Sequence, residues 1–267
     1  MLPADYSWGH LFWIGLSVLI LAMSKGGFPV GPIAVPALVL CWPHQVTAAR
    51  DVVSFALPLL CVMDVAALLV FWRHVDWRRV WPLAPGALAG VALASLLFLA
   101  DDAALFSLSD RWLKLTIGVV GVGFVAYQAA RRFILAHLPA AQTPTRRASA
   151  VLGVAAGVTS TLAHAADPVA QMYFLPQRLD KMAFAATTAG FFFLLNLAKV
   201  VPFAIFGRFT TGNLWLALWM LPVVPVGVGL GYVVVRVIRG NWYVALIHGV
   251  LLATAVTLIV KALTDGG

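Results

Sequence analysis

Ser24-Lys25-Gly26-Gly27-Phe28-Pro29-Val30-Gly31-Pro32 cuts a run of sequence that is otherwise continuous hydrocarbon. Thr159-Ser160-Thr161-Leu162-Ala163-His164-Ala165-Ala166-Asp167-Pro168 does the same about 136 residues later. Glycine and proline free backbone polar groups from helical partners, and lipid supplies no replacement. Such a break persists at membrane depth only where protein or a watery cavity receives it. Two interrupted apolar segments at matching positions in two halves point to the binding site of a secondary transporter.

The surrounding composition fixes the class. The chain of 267 residues is 62% hydrophobic and 10% charged, with a mean hydropathy of +0.96. No soluble domain covers that much apolar surface, so the chain reads as an all-α polytopic membrane protein. The formal charge of +8 does not indicate nucleic acid, because the arginine pairs sit at the ends of apolar stretches, where they set topology. Cys41 and Cys61 lie in or beside apolar segments and read as buried thiols, with no disulfide expected. Met1 to His10 lacks the basic flank of a cleavable signal, so the first apolar stretch reads as part of the mature protein.

Apolar stretches run at about 7–23, 31–41, 46–71, 78–100, 112–130, 149–163, 168–176, 182–206, 213–235 and 242–262. Gln142-Thr143-Pro144-Thr145-Arg146-Arg147 divides them near the middle. Arg73 and Arg208 align at an offset of 135, as do Asp64 and Lys199, and Pro85-Gly86-Ala87-Leu88-Ala89-Gly90 aligns with Pro225-Val226-Gly227-Val228-Gly229-Leu230 at 140. A single membrane domain over 1–267 is expected. Its repeats run over about 7–132 and 149–263, joined by a linker at about 133–148. Each repeat is a broken or re-entrant helical hairpin followed by three transmembrane helices.

Charge counting orients the repeats. Lys25 and Lys199 lie within apolar segments and leave 16 of the 18 basic residues. If each break returns to its own side, Arg73, Arg78, Arg79, Arg131, Arg132, Arg146, Arg147, Arg178, Lys181, Arg236 and Arg239 share one face, against five opposite. Full crossings would split them about nine to seven. The positive-inside rule favours the hairpins, and three spans per half then make the repeats inverted.

Ionisable groups at membrane depth cost about 2.5–3.5 kcal/mol on insertion scales, so each is a functional candidate. At the first break, Ser24, Lys25, Gly26 and Gly27 suit an anion: the glycines admit it to the backbone, the following half-helix offers free N–H groups, and Lys25 adds charge. A snorkelling lysine at a hairpin tip is the plainer reading. At the second break, His164 and Asp167 are candidates for coupling or gating, while Asp167 equally reads as a cap for the half-helix starting at Pro168. Thr161 is a hydroxyl donor at the same tip. Asn196 and Lys199 share a helix face and are candidates, with Thr161 and His164, to complete the substrate pocket; Asp64 is the natural ion-pair partner of Lys199, a bridge that reads equally as structural, and a third candidate for coupling or gating. Thr187 and Thr188 read either as oxyanion donors or as threonines bonded to their own backbone. Trp72, Trp77, Trp81, Trp215, Trp219 and Trp242 fit an aromatic belt.

These residues give the chain a family resemblance. Ser24-Lys25-Gly26-Gly27 with Pro36, Met63-Asp64-Val65, and Arg73-His74-Val75-Asp76-Trp77 carry it in the first half. Ala163-His164-Ala165, Tyr173-Phe174-Leu175-Pro176-Gln177-Arg178-Leu179 and Asn196-Leu197-Ala198-Lys199-Val200-Val201-Pro202 carry it in the second. Over essentially its whole length the chain resembles the TauE/SafE permeases. The resemblance implies export of sulfite, sulfonates or small carboxylates across a bacterial inner membrane, coupled to an ion gradient. Where that family's second tip reads Gly-Gly-Pro, this chain has Ala166-Asp167-Pro168.

The leading expectation is thus an alternating-access exporter of small anions with the bilayer and its substrate as partners, without cofactor or metal. A homodimer is compatible with it. A proton-coupled carrier of a non-anionic molecule is the alternative in the same class. An intramembrane hydrolase using Ser160 and His164 is the alternative from another class, disfavoured by the absence of a Gly-x-Ser-x-Gly elbow and a His-Glu-x-x-His helix.

Overall fold

The computed structural model describes residues 6–27, 30–43, 47–102 and 144–237, with isolated helical positions between 112 and 130 and between 252 and 264. Part of the span expected at 112–130 and most of that expected at 242–262 lie outside the described residues, as do Phe28, Pro29 and positions 133–143 of the linker. The principal elements are α1 (Trp8–Lys25), α2 (Gly31–Cys41), α3 (Ala48–Phe71), α4 (Trp77–Val80), α5 (Ala84–Asp102), α6 (Arg146–Ala163), α7 (Asp167–Phe174), α8 (Lys181–Ile205), α9 (Thr211–Met220) and α10 (Val223–Val237). Each half has the same order: a long arm, a break, a short helix, a long helix, then a pair of helices separated at a proline.

Most helix starts outside the breaks carry a side-chain cap, although α3, which follows Thr47, makes none. Ser7 accepts from the His10 N–H at the start of α1, Thr145 from Ala148 at α6, Asp180 from Met182 and Ala183 at α8, and Thr210 from Asn213 at α9. These side chains satisfy amide donors that a helix start leaves orphaned. The two helices that begin inside the breaks lack such a side chain. Val30 and Ala166 precede α2 and α7, and neither makes a side-chain cap bond. Thr145 also starts α6 three residues ahead of the apolar stretch, which brings Arg146 and Arg147 into its first turn.

Three helices are long and apolar enough to cross a membrane among the described residues, and the α9–α10 pair makes a fourth if it counts as one span. At 18 residues, α1 reaches about 27 Å, enough for a bilayer core. The single stretches expected at 78–100 and 213–235 are both broken. Pro82 separates α4 from α5, and Pro222 separates α9 from α10, where the bend is 50°. Proline withholds the donor that would continue the helix and clashes with the preceding turn.

The long helices α3 and α8 form the centre. Ala67 and Phe71 pack against Ala186 and Ala189, and Asp64 meets Asn196, so the two run antiparallel. Both are two-faced. On α8, Leu197, Val201 and Ile205 are exposed at helical spacing, while Leu195, Asn196, Lys199 and Phe203 are buried. An apolar outer stripe with polar groups inside suits lipid contact outside and a polar interior.

Two glycine seams seat the long arms of the breaks. Gly86 and Gly90 of α5 lie against the Ala150 and Val154 carbonyls of α6, while Gly153 and Gly157 of α6 lie against Leu83 and Ala87 of α5. Gly227 and Gly231 of α10 lie against Leu19, Ala22 and Met23 of α1 in the same manner. A Cβ at these positions would collide with backbone or a neighbouring methyl, so the glycines are what lets the helices approach, as small residues do in membrane bundles. The arm of each half therefore rests on the last described helix of the other half, α5 or α10, and both pairs run parallel.

Candidate functional site

The two breaks come together. A Cβ on Gly31, the first residue of α2, would lie 3.0 Å from Ser24 Oγ and 3.6 Å from Asp167 Oδ2, the first residue of α7. The starts of the two uncapped half-helices and a carboxylate thus share one place. Gly27 turns the first tip with φ +97°, a conformation open to glycine. At the second tip a histidine takes the left-handed conformation: His164 has φ 49° and ψ 33°. That is uncommon for a residue with a side chain, and such conformations persist where surrounding bonds hold them.

Lys25 ends α1 and reaches α3. Its Nζ lies 2.7 Å from Asp64 Oδ1, and Asp64 is fully buried. The Asn196 Nδ2 amide of α8 donates to the other carboxylate oxygen, Oδ2. The Lys25 ammonium also stands 4.3 Å from the centroid of the Phe192 ring, where the ring quadrupole attracts a cation. Phe192, Asn196 and Lys199 fall at i, i+4 and i+7 on one face of α8.

His164 and Lys199 form the second cluster. Lys199 Nζ donates to the Ser160 carbonyl at 3.1 Å and to Ser160 Oγ at 2.8 Å, and contacts His164 Nδ1 at 2.8 Å. His164 Nε2 lies 2.8 Å from the Val53 carbonyl of α3. A carbonyl only accepts, so Nε2 carries hydrogen; an ammonium only donates, so Nδ1 offers its lone pair. The imidazole is thereby fixed as the neutral Nε2–H tautomer. The three ammonium hydrogens of Lys199 meet three neutral acceptors, whereas Lys25 meets a carboxylate. The charges of Lys25 and Asp64 act on both Lys199 and Asp167, so the two clusters are one electrostatic unit.

Several sequence expectations are redistributed by this geometry. The expected Asp64–Lys199 pair gives way to Asp64–Lys25, because α1 delivers Lys25 to α3 while Lys199 turns toward the second tip. Gly26 faces α10 rather than open space: its Cβ position is blocked by Val228, Gly231 and Tyr232 backbone. Ser24 Oγ donates to the Leu21 carbonyl and Thr161 Oγ1 to the Gly157 carbonyl, local bonds of the kind such hydroxyls make in membrane helices. Thr187 accepts from the Asp76 N–H at 3.0 Å, some nine residues or about 13 Å along α8 from Asn196. Thr188 Oγ1 is buried without a hydrogen-bond partner among the described residues. Asp167 is not the N-cap of α7, which is Ala166, but its first residue.

The site also contains groups the sequence reading left aside. Phe192 is recoverable in hindsight from its spacing to Asn196. Ser160, which the sequence offers as a nucleophile, is instead a ligand of Lys199, and the basic nitrogen of His164 faces Lys199 rather than Ser160. The Val53 carbonyl carries no sequence signal.

No curated protein and no solved structure matches the chain. The model of one protein family, described as sulfite exporter TauE/SafE, matches residues 11–258. Coverage of nearly the whole chain, together with membrane-length helices and a buried polar site at two breaks, settles the class: the protein belongs to the sulfite exporter TauE/SafE family of multi-pass membrane transporters and is not an enzyme.

Proposed function

We propose that this transporter exports small anions such as sulfite, sulfonates or small carboxylates across the bacterial inner membrane by alternating access. Its repeats, about 7–132 and 149–263, would be inverted within a single domain. The observation that carries the reading is the junction of the two breaks: Gly31 and Asp167 nearly touch, with Lys25 and Lys199 in the adjoining clusters. Uncapped half-helix starts offer N–H groups and the positive ends of helix dipoles to an anion.

Helix directions support inverted hairpins. If 112–130 crosses once, the antiparallel packing of α3 and α8 requires the second break to return to its own side. Each break then enters from an opposite face, and each arm leans on α5 or α10 of the other repeat. Rocking of one repeat against the other would move both tips around a fixed central site, as in other inverted-repeat carriers. Ser24, Lys25, Gly27 and Asn196 are the substrate-side groups in this reading, with His164, Lys199, Asp64 and Asp167 available for coupling or gating.

The test is transport by purified protein in proteoliposomes loaded with sulfite, sulfoacetate or acetate. Saturable flux of at least one anion, lost in the Lys25→Ala/Asp64→Asn double variant, is expected. The double variant is chosen because it removes the cation without stranding a buried carboxylate. Flux that is indifferent to substrate charge would overturn the anion assignment in favour of a proton-coupled carrier, a reading to which the Asp167 carboxylate at the tip junction lends itself.

A further inference from the structure

Lys25 is the cation best placed for an anion, yet in this structure it is already taken by Asp64. We propose that Asp64 is an exchangeable internal counter-ion, which occupies Lys25 while the site is empty and is handed to Lys199 when a substrate anion takes its place. The inference rests on the anion-transport reading and assigns Asp64 a positioning role within it.

The geometry favours a handover over a static bridge. One oxygen of Asp64 faces Lys25, and the other accepts from Asn196 on α8. Lys199 lies one turn further along the same face of α8, so a carboxylate held by Asn196 through one oxygen has Lys199 as its neighbouring cation once the other oxygen leaves Lys25. Lys199 meets only neutral acceptors, Ser160 and His164, so it is the cation in the centre without a carboxylate of its own among the described residues. Lys25 keeps two supports that do not depend on Asp64: the Phe192 ring face and a side chain 11% accessible, from which an anion can approach.

The handover has a mechanical consequence. Lys199 cannot turn to Asp64 without giving up donors to Ser160 and His164, and those bonds hold the end of α6 and its left-handed residue. Anion arrival at the first tip would therefore loosen the second. That links occupancy to the motion of a hairpin from the other repeat through a two-state element both tips share, which is what coupling between sites requires.

Two variants with opposite signs test it. Asp64→Asn keeps the shape and the Asn196 contact but removes the competing charge. Binding of sulfoacetate to the purified protein, measured calorimetrically, should tighten by about tenfold or more, while the exchange rate in proteoliposomes falls by a similar factor. Asn196→Leu removes the pivot and leaves Asp64 more dependent on Lys25, so binding should weaken. Generic damage to the fold would move both variants in the same direction. If wild-type protein binds sulfoacetate and Asp64→Asn binds it equally or more weakly, the counter-ion role is wrong and the anion reading stands. If wild-type protein binds and moves none of sulfoacetate, sulfite and acetate, both fail together.

Discussion

At the first tip, Lys25 closes α1 and reaches a carboxylate, Asp64, on the long helix of its own half. At the second, His164 follows the end of α6 and reaches an ammonium, Lys199, on the long helix of its own half. The two arrangements share a plan and differ in the nature of the bond: ion against ion at one tip, ion against neutral groups at the other. The same order of arm, break and long helix is thus furnished with different side chains at the two tips. The first tip keeps the glycine turn at Gly27, whereas the second accepts a strained histidine and holds it with hydrogen bonds to Lys199 and Val53. The difference predicts that the tips will respond unequally to comparable damage.

The largest effect should come from the seams that hold both arms. Gly157→Leu would drive a side chain into the Ala87 carbonyl and the Gly90 backbone of α5. Gly231→Leu would do the same to Met23 of α1. Helix backbones cannot yield as a flexible side chain can, so each variant should lose about 4–5 kcal/mol or more. The expected readout is loss of the monodisperse peak on size exclusion in detergent. If only one variant fails, the seams are not equivalent and the comparison between the halves loses its structural basis.

Lys25→Ala comes next. It leaves Asp64 buried with one amide donor, and Lys199 can replace the lost counter-charge only by giving up its bonds to Ser160 and His164. Breaking a buried pair from one side typically costs about 3–5 kcal/mol. The melting temperature should fall clearly, and the added Asp64→Asn change should recover much of it without recovering transport. Recovery of both would show that Lys25 serves only to neutralise Asp64.

Lys199→Met should cost less, about 1–3 kcal/mol, since it strands polar groups of Ser160 and His164 but no charge. Its thermal shift should be smaller than that of Lys25→Ala. The reverse order would mean that Lys199, not Lys25, makes the stronger ionic contact, and would restore the pairing with Asp64 that the sequence alone suggests.

That mistaken pairing shows where sequence reading stops. The breaks, the apolar stretches and the matching order of the halves follow from glycine, proline and hydropathy, which act locally. Asp64 and Lys199 were matched because they align between repeats, but alignment gives equivalent positions rather than contacts. Which lysine reaches the carboxylate depends on how α1 seats against α10, and that is set by Gly227 and Gly231 on a helix some 200 residues away in the chain. The breaks at Pro82 and Pro222 are legible in principle, since each proline removes a donor. The Val53 carbonyl was not, because any residue type would provide it.

The smallest expected change is the most specific to this chain. Asp167 places a carboxylate beside Gly31, where the resemblance to TauE/SafE permeases leads one to expect glycine. Asp167→Gly would remove a favourable charge from the start of α7, worth about 0.3–1 kcal/mol, and add the backbone freedom of glycine, about 1 kcal/mol, so the fold should survive with a modest loss. Against that, a repelling charge leaves the place where the two half-helices converge. Sulfoacetate binding should tighten by a few-fold and fall more steeply with added salt, while Lys25→Ala/Asp64→Asn moves it the other way. Unchanged affinity would mean that the anion never approaches the second tip. The asymmetry between the tips would then reflect how α7 is started rather than what the transporter carries.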